Sequence, residues 1–274
     1  MMRQTAVVIV NRNLPEVTDA LCDLIRSQND DCDLFVLEAG SEEDNLSKYC
    51  SWHEKSEVVR QHGLRMPRGI NFAIKQMMTD GVFDRYKYFF FLPNDVEFSN
   101  KPFIRILEEE MESHKRLGIL SPASRRWGET RLVGPKSTKY FWAIEQLAWF
   151  MRREYIEVLL NVESPYDRDF FYDGTNFRGF YSNLEMIIKG YVNDWASGIT
   201  TKVWITENEN HLKTMADLIG TESYDDNIRK YLIEGNEWMK RKYGYNSKWP
   251  FHMYSKFLYD RFFLYYPELK RYEI

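Results

Sequence analysis

The sequence has few cysteines, and their spacing excludes the common cysteine-based sites. Cys22, Cys32 and Cys50 are the three cysteines among 274 residues, and no two of them form a C-x-x-C pair. An odd number at wide spacing indicates neither a disulfide framework nor a zinc knuckle. We therefore expect reduced thiols and a cytoplasmic protein.

Excess positive charge and long apolar runs are also missing. The chain carries 37 Lys and Arg against 41 Asp and Glu, which argues against a nucleic-acid partner. No segment approaches the roughly 18 apolar residues that a membrane span needs. The G-x-G-x-x-G turn of dinucleotide-binding dehydrogenases is absent too. These absences disfavour nucleic-acid-binding, membrane-spanning and dehydrogenase classes.

Short apolar runs alternate with helical patterns along the first 215 residues. Strands are predicted at residues 6–10, 33–38, 88–92, 118–122, 147–151 and 201–206, with a short one at Val58-Val59. Amphipathic helical patterns separate most of these runs. The alternation predicts an α/β fold with a mostly parallel sheet flanked by helices.

Polar side chains follow three of the predicted strands. Asn11 and Arg12 follow the first strand, Glu38 ends the second, and Asp95 and Glu97 follow the strongly apolar run FFFLP. Ligands of such sheets gather beyond the carboxyl ends of the strands. We therefore expect these side chains to converge on one cleft.

Asp95 and Glu97 have the chemistry of a metal site. Two carboxylates spaced i, i+2 after a buried strand can both point into a cleft, and hard oxygen ligands suit Mg²⁺ or Mn²⁺ together with phosphate oxygens. The alternative is that Asp95 caps the following turn and Glu97 is solvated. The buried strand and the other polar strand ends favour a metal–diphosphate site.

In residues 4–215 the chain resembles a known enzyme family. The segments that carry the likeness are VVIVNRNLPEVTDAL, VLEAGSEED, GINFAI, FLPNDVEF, and the Gly-Tyr pair followed by a strand and a histidine. Their order resembles that of inverting glycosyltransferases with the GT-A fold, the family-2 type that includes bacterial rhamnosyl-, galactosyl- and glucosyltransferases of polysaccharide biosynthesis. The implied fold is Rossmann-like, as in nucleotide-diphospho-sugar transferases.

The resemblance implies roles for individual residues on the donor side. Glu38 stands where the family binds the donor nucleotide with an Asp, and Asn11 and Arg12 would line the base pocket. Arg68, just before the Gly69/Asn71 segment, would contact a phosphate; Asn71 joins this cofactor-binding set. Asp95 would serve both the diphosphate and the metal.

Two further metal-side roles follow from the same likeness. Glu97 would be the second member of the metal–diphosphate pair, although the family usually has Asp there. His211 lies where some members supply a further metal ligand, and a surface-loop histidine is the alternative. The implied cofactor is Mn²⁺ or Mg²⁺, with a nucleotide-diphosphate sugar as the donor.

The general base is the least defined part of the predicted site. The family usually places an Asp or Glu near the start of the helix that ends in Gly-Tyr, but this chain has Asn183 there, and an amide is no base. Glu185 is the nearest carboxylate and ranks first. Asp173, in YDGTNFRG, ranks second, and Asp169 third.

The end of the chain differs in composition from the rest. Residues 237–274 contain 13 aromatic residues and 8 Lys or Arg against 4 Asp or Glu. We expect residues 216–274 to form a helical extension of the 1–215 catalytic domain that packs on the core or on a sister subunit in a homo-oligomer. Alternatively they bind a membrane surface, through basic side chains and five rings. The rings are Trp249, Phe251, Phe257, Phe262 and Phe263.

The predicted function is transfer of a hexosyl or deoxyhexosyl group to a hydroxyl of a glycan or lipid-linked acceptor, with inversion. A sugar nucleotidyltransferase is a rival, but it would usually show a glycine-rich phosphate loop, and NRNLPE after the first strand has no glycine. A second rival is a catalytically silent protein of the same fold that serves in binding or assembly. Donor hydrolysis with and without metal separates the silent protein from the enzyme.

Overall fold

The computed structural model describes residues 4–29, 32–99, 102–208, 210, 214–220 and 222–274. Its strands are β1 (Thr5–Asn11), β2 (Cys32–Ala39), β3 (Cys50–Glu54), β4 (Tyr88–Pro93), β5 (Val96–Phe98), β6 (Leu117–Ser124), β7 (Thr138–Phe141), β8 (Trp149–Arg152) and β9 (Ala196–Glu207). Its α-helices are α1 (Pro15–Gln28), α2 (Glu57–His62), α3 (Arg65–Thr79), α4 (Phe103–Ser113), α5 (Arg153–Leu159), α6 (Ser182–Val192), α7 (Ala216–Ile219), α8 (Tyr224–Tyr243) and α9 (Lys248–Tyr265).

The strands form one mixed sheet in the order β3-β2-β1-β4-β8-β6-β9-β5, with β7 also paired to β9. The predicted α/β class is confirmed. β3, β2, β1 and β4 are mutually parallel, as expected, and β6 is parallel to β9. The pairings of β8, β5 and β7 are antiparallel, so the sheet is less parallel than the sequence suggested.

The apolar run of β4 lies at the centre of the sheet and is covered on both faces. The Phe90 ring packs against Phe103 of α4, at 6.4 Å between centroids, while Phe89 stacks at 4.8 Å on Phe83. All three phenylalanines from Phe89 to Phe91 are buried. A strand buried on both faces reads as a continuous apolar run rather than an alternating one.

The strand predicted at Val58-Val59 is wrong. These residues lie in α2, which is capped by Gly63, and Val58 is exposed while Val59 is buried against Gly40. The third strand is instead Cys50–Glu54, with the polar sequence CSWHE at the sheet edge. Apolar content does not mark an edge strand whose side chains are partly solvated.

Gly40 allows this part of the chain to pack closely. It has a φ of 79°, and a Cβ atom there would lie 2.3 Å from the carbonyl oxygen of Val59. A larger residue would therefore displace α2 from the end of β2. The conformation also belongs to the left-handed region that favours glycine.

Helix α9 packs its inner face on the protein core. Tyr259, Phe262 and Phe263 belong to the same buried cluster as the sheet residues, and Phe251 is buried in a second cluster with Trp238 and α6. The prediction that Phe251, Phe262 and Phe263 lie at a membrane surface is therefore wrong, because these rings have protein neighbours.

The outer face of α9 remains exposed. Trp249, Met253, Phe257 and Leu264 are each more than half exposed, and their spacing places them along one side of the helix. None of the helices in the described part of the chain combines the length and hydropathy that crossing a membrane requires.

Candidate functional site

The ends of β1, β2 and β4 bring the predicted polar residues together. Asn11 lies opposite Glu38 in the parallel register of β1 and β2, and Val10 lies opposite Pro93 of β4. The side chain of Asn94 donates to Asn11 Oδ1 at 2.9 Å. Three strand ends therefore share one hydrogen-bonded network.

Glu38 is the centre of that network. Asn11 Nδ2 donates to both carboxylate oxygens, at 3.1 and 2.9 Å. The Ser41 hydroxyl donates at 2.6 Å and the Ser47 backbone N–H at 2.9 Å. The side chain is fully buried, so a nucleotide could reach the carboxylate only by replacing these donors. Its role in donor binding stays a prediction.

Two contiguous clefts open at this edge of the sheet. The edge cleft, about 200 Å³, lies over the ends of β1 and β2 and is lined by Asn11, Arg12 and Asn94 among others. The carboxylate cleft, about 500 Å³, lies between α1 and β5 and is lined by Asn94, Asp95 and Glu97 among others. Asn94 lines both clefts, which makes them neighbours.

Asp95 and Glu97 face the same cleft and are both positioned by the end of β9. Asn208 N donates to the Asp95 carbonyl at 2.9 Å, and its side-chain amide donates to Glu97 Oε1 at 3.0 Å. Asp95 is half-buried and Glu97 is exposed. Two carboxylates on one cleft fit a Mg²⁺ or Mn²⁺ ion whose remaining ligands are phosphate oxygens and water.

The protein side of such a metal site is incomplete by itself. Within the described residues, no three His, Cys, Asp or Glu side chains stand together as a metal-binding group. The predicted third ligand, His211, lies outside the described residues. A metal would therefore depend on substrate oxygens for part of its coordination, as Mg²⁺ sites commonly do.

Arg12 and Arg68 are held by backbone carbonyls. Arg12 donates to the carbonyls of Val59 and Arg60 at 3.0 and 2.7 Å, and burial lowers the pKa of its guanidinium. Arg68 Nε donates to the Gly174 carbonyl at 2.8 Å. Arg12 lines the edge cleft, whereas Arg68 lines a separate cleft beside α2 and α8.

Asn71 holds a loop. Its amide donates to the carbonyls of Tyr166 and Tyr172 at 2.8 and 2.9 Å, and its oxygen accepts from the Tyr172 N–H at 2.8 Å. The side chain is fully buried. Asn71 therefore anchors the segment before α6. Its contact with the donor stays a prediction.

The predicted bases, Glu185 and Asp173, are buried together beside Lys242, and Lys189 lies 3.6 Å from Glu185 as a second cation. Lys242 of α8 donates to Asp173 at 2.7 Å and lies 2.8 Å from Glu185 and 3.3 Å from Asp169. Tyr243 donates to Glu185 Oε1 at 2.5 Å, whereas Glu185 Oε2 has no hydrogen-bond partner among the residues that the structure describes. Among the described clefts, none is lined by Asp173 or Glu185.

The electrostatics of this cluster oppose a role as base. Burial acts to raise the pKa of Asp173, but the hydrogen bonds it accepts, from Lys242 first, hold the pKa well below its ordinary value. Burial acts to lower the pKa of Lys242, but Glu185 and Asp173 reverse this and raise it. The cluster is thus a buried ion pair that joins α8 to the loop before α6.

A third cleft contains two glutamates that the sequence reasoning missed. This inner cleft, about 300 Å³, is lined by Glu145, Glu207, Asn183, Arg65 and Arg178 among others. Glu207 ends β9 opposite Val96, the residue after Asp95. Arg65 also lines the edge cleft, so the inner cleft adjoins the strand ends.

Sequence signals for both glutamates were present. Glu207 directly follows the predicted strand TKVWIT, so the rule applied to the other strand ends covers it. Glu145 precedes β8, which runs antiparallel to β4 with Trp149 opposite Phe91. The start of an antiparallel strand lies at the edge where its neighbour ends. Partial desolvation by the cleft walls, then the charges of Glu129 and Glu207, raise the pKa of Glu145, although the residue itself is exposed to solvent.

Lys242→Met tests the buried cluster. The change removes the ammonium and leaves Asp173 and Glu185 buried without their closest counter-charge. We expect the free energy of unfolding at pH 7, from urea titration, to fall by about 3 kcal/mol. The deficit should shrink as the pH approaches about 4, because Asp173 and Glu185 then take up protons; Lys189, 3.6 Å from Glu185, is the cation that remains.

Lys240→Met is the matched control, because Lys240 lies on the same helix and is exposed. It should leave the unfolding free energy within about 0.5 kcal/mol of wild type. Equal, small losses for the two variants would show that the Lys242 cluster does not stabilise the fold.

Comparison with known proteins rests on solved structures alone, since neither the family models nor the curated protein sequences yield a match. The mannosyltransferase PcManGT from Pyrobaculum calidifontis, solved with GDP-Man and Mn²⁺, aligns with a TM-score of 0.52 at 11% identity. The alignment covers 92% of this chain and 73% of that one.

Two further structures align similarly. GalNAc-T7, solved with UDP, GalNAc and Mn²⁺, aligns at a TM-score of 0.54 and 10% identity, over 99% of this chain and 58% of that one. S. aureus TarS aligns with a TM-score of 0.50 at 13% identity, over 86% of this chain and 43% of that one. The chain thus spans about half the length of these two proteins. At such identities the likeness concerns the fold, and that fold is GT-A.

Proposed function

We propose that the protein is a metal-dependent glycosyltransferase that uses a nucleotide-diphosphate sugar. The observation that carries the proposal is the pair Asp95 and Glu97, which line one cleft at the carboxyl end of β4, beside the cleft over β1 and β2. In parallel α/β sheets this edge is where nucleotides bind. Residues 1–215 would form the catalytic domain and residues 216–274 its extension.

Similar structures support the donor and metal classes. One was solved with GDP-Man and Mn²⁺, and another with UDP, GalNAc and Mn²⁺. In this chain Asp95 and Glu97 would hold Mn²⁺ or Mg²⁺, and Asn11 and Arg12 would line the nucleotide pocket. The ion would neutralise charge on the leaving diphosphate. We propose transfer of a hexosyl or deoxyhexosyl group with inversion to a hydroxyl of a glycan or glycolipid.

Glu145 has the position expected of the general base. It lines the inner cleft together with Glu207, which lies opposite Val96 in the strand register, and its pKa is raised. A base works best when its pKa lies near the working pH. Glu185 and Asp173, the candidates from the sequence, are instead held by Lys242 in a buried cluster, where a substrate hydroxyl would have to replace the ammonium.

Nucleotide binding tests the donor site directly. UDP, GDP and dTDP are titrated by calorimetry into wild type and Asp95→Asn, with Mn²⁺ or with EDTA. One nucleotide should bind in the presence of Mn²⁺, and Asp95→Asn should weaken that binding tenfold or more, because a charged metal ligand is lost. With EDTA the two proteins should differ little.

Glu16→Gln is the matched control, since Glu16 is an acidic side chain of α1 in the same cleft. It should leave the nucleotide affinity unchanged. Absence of binding by every nucleotide, with and without Mn²⁺, would contradict the transferase proposal and favour the silent protein of the same fold.

Donor hydrolysis tests the base. With the nucleotide sugar that binds, release of nucleoside diphosphate should fall about 10²- to 10⁴-fold in Glu145→Gln. The wild-type rate should rise with pH through the raised pKa of Glu145, since the base must be deprotonated. Asp173→Asn and Glu185→Gln should chiefly lower stability.

If Glu145→Gln hydrolysed the donor at the wild-type rate, Glu145 would be ruled out as the general base. If Glu185→Gln or Asp173→Asn then lost the rate while keeping the unfolding free energy, the base would be assigned to that carboxylate. Circular dichroism of each variant at the assay temperature separates loss of chemistry from loss of fold.

The exposed face of α9 fits an anionic membrane surface. The rings of Trp249 and Phe257 lie beside cations, with Lys248 Nζ 5.3 Å from the Trp249 centroid and Arg261 Cζ 5.7 Å from the Phe257 centroid. Aromatic rings interleaved with cations match the headgroup region of an anionic bilayer. We propose this peripheral contact as the way the enzyme meets a lipid-linked acceptor.

Vesicle flotation measures the contact. Wild type should float with vesicles containing phosphatidylglycerol and much less with pure phosphatidylcholine, and added salt should weaken it. Trp249→Ser with Phe257→Ser should reduce the bound fraction about tenfold or more. Leu132→Ser, at another exposed apolar position, is the control. Equal flotation of all three proteins would contradict the membrane contact. A concentration-dependent dimer that the double variant loses would also contradict it, because the exposed face of α9 would then bind a second copy of the chain.

A further inference from the structure

Three arginines surround one phenyl ring beside the inner cleft. The guanidinium carbons of Arg65, Arg68 and Arg178 lie 5.9, 4.8 and 5.6 Å from the centroid of the Phe177 ring. Arg65 and Arg68 belong to the first turns of α3, and Arg178 to the loop before α6. Guanidinium groups stack on aromatic faces, and such stacking fixes their orientation.

One carboxylate occupies the space between these cations. Glu222 Oε1 accepts from Arg178 Nη2 at 2.5 Å and from Lys230 Nζ at 2.8 Å, and Oε2 accepts from Arg65 Nη2 at 3.2 Å. Arg178 also pairs with Glu234. The Arg178 side chain is only 7% exposed, so this arrangement is built into the protein and is not a surface coincidence.

The cluster retains positive charge after these pairs are formed. Arg65, Arg68, Arg178 and Lys230 contribute four positive charges, against two negative charges from Glu222 and Glu234. The excess is local, because the chain as a whole carries a formal net charge of −4. An oxyanion with three donors around it is the arrangement in which arginine also binds phosphate.

An adjacent space could hold the molecule that carries the anion. The arginine cleft, about 410 Å³, is lined by Arg68, Phe177, Arg178, Glu222 and Lys230 among others. Its lining includes none of the strand-end residues that face the edge and carboxylate clefts. Arg178 lines the inner cleft as well, so the arginine cleft adjoins the cleft that contains Glu145. His62 lines both the arginine cleft and the edge cleft, so the arginine cleft also borders the proposed nucleotide pocket.

We propose that Arg65, Arg178 and Lys230 bind a phosphate group of the acceptor, and that Glu222 holds the place of that phosphate until the acceptor arrives. Glu222 competes with the incoming phosphate for the same three donors. The assignment of this phosphate to the acceptor rests on the proposed transferase function, whereas the anion site itself rests on the geometry of the cluster. The acceptor class is therefore a phosphorylated glycan, polyol or lipid.

Glu222→Gln gives a gain-of-binding test. Glycerol phosphate is titrated by calorimetry into the full chain with Mg²⁺ and the tightest-binding nucleoside diphosphate at saturation. Removing the competing charge should tighten glycerol phosphate binding about tenfold, because hydrogen bonds to an ionised group are strong. A misfolded variant could not produce this gain.

Two further variants complete the test. Lys230→Gln, at a side chain that is 43% exposed, should weaken glycerol phosphate binding several-fold and leave folding intact. Glu109→Gln on α4 changes the net charge as Glu222→Gln does but is remote in sequence and lines none of the described clefts, and it should bind like wild type. Equal affinities for Glu222→Gln and wild type would overturn the proposal.

The two phosphate sources are separated by competition. Glycerol phosphate that binds equally well with and without saturating nucleoside diphosphate supports an acceptor site. Glycerol phosphate displaced by the nucleoside diphosphate would overturn that assignment and place the donor diphosphate on the arginines. If no nucleoside diphosphate binds but Glu222→Gln still tightens glycerol phosphate binding, the transferase proposal fails and the anion site stands.

Discussion

The buried carboxylate of Glu38 is the interaction on which the carboxyl edge of the sheet depends. It lies where water cannot reach it, and the hydrogen bonds from Asn11, Ser41 and Ser47 replace its hydration. A buried carboxylate is tolerated only when its oxygens are satisfied. Because Asn11 in turn accepts from Asn94, the same network fixes the turn that presents Asp95. The proposed metal site therefore rests on a contact made by the neighbouring strands.

The other side of the clefts is built by distant segments. Lys242 and Trp238 of α8 both donate to Asp173, and Asn71 of α3 holds the loop just before it. This loop leads to Arg178 and α6, so the C-terminal helices and α3 together set the shape of the inner cleft. Glu222, next to α8, meets Arg65 of α3 in the arginine cluster. A change in how the C-terminal helices pack would therefore alter the shape of the inner cleft and of the arginine cluster, where the acceptor is proposed to bind.

Much of the fold followed from local pattern, and the errors have identifiable causes. The runs at β1 and β4 are buried on both faces, and β2 is buried over its second half, so they stand out as apolar in the sequence. Strand β3 was misplaced because an edge strand needs no apolar run. Glu145 was missed because an antiparallel β8 was not foreseen. Three of the five rings named on α9 were misassigned because aromatic content alone does not say whether a ring faces the core, as Phe262 does, or solvent, as Phe257 does.

The sequence by itself determined the α/β class, the strand ends that carry polar residues, and the placement of Asp95 and Glu97 two residues apart after β4. These features depend on neighbours along the chain. Only the tertiary structure decided what each polar side chain faces. It buried Glu38 and Asn71 among protein donors and acceptors, joined Asp173 to Lys242, and left Glu145 in a cleft. Those outcomes depend on contacts between residues far apart in sequence. The spacing of residues along a single sequence does not reveal how close such residues come in the folded protein.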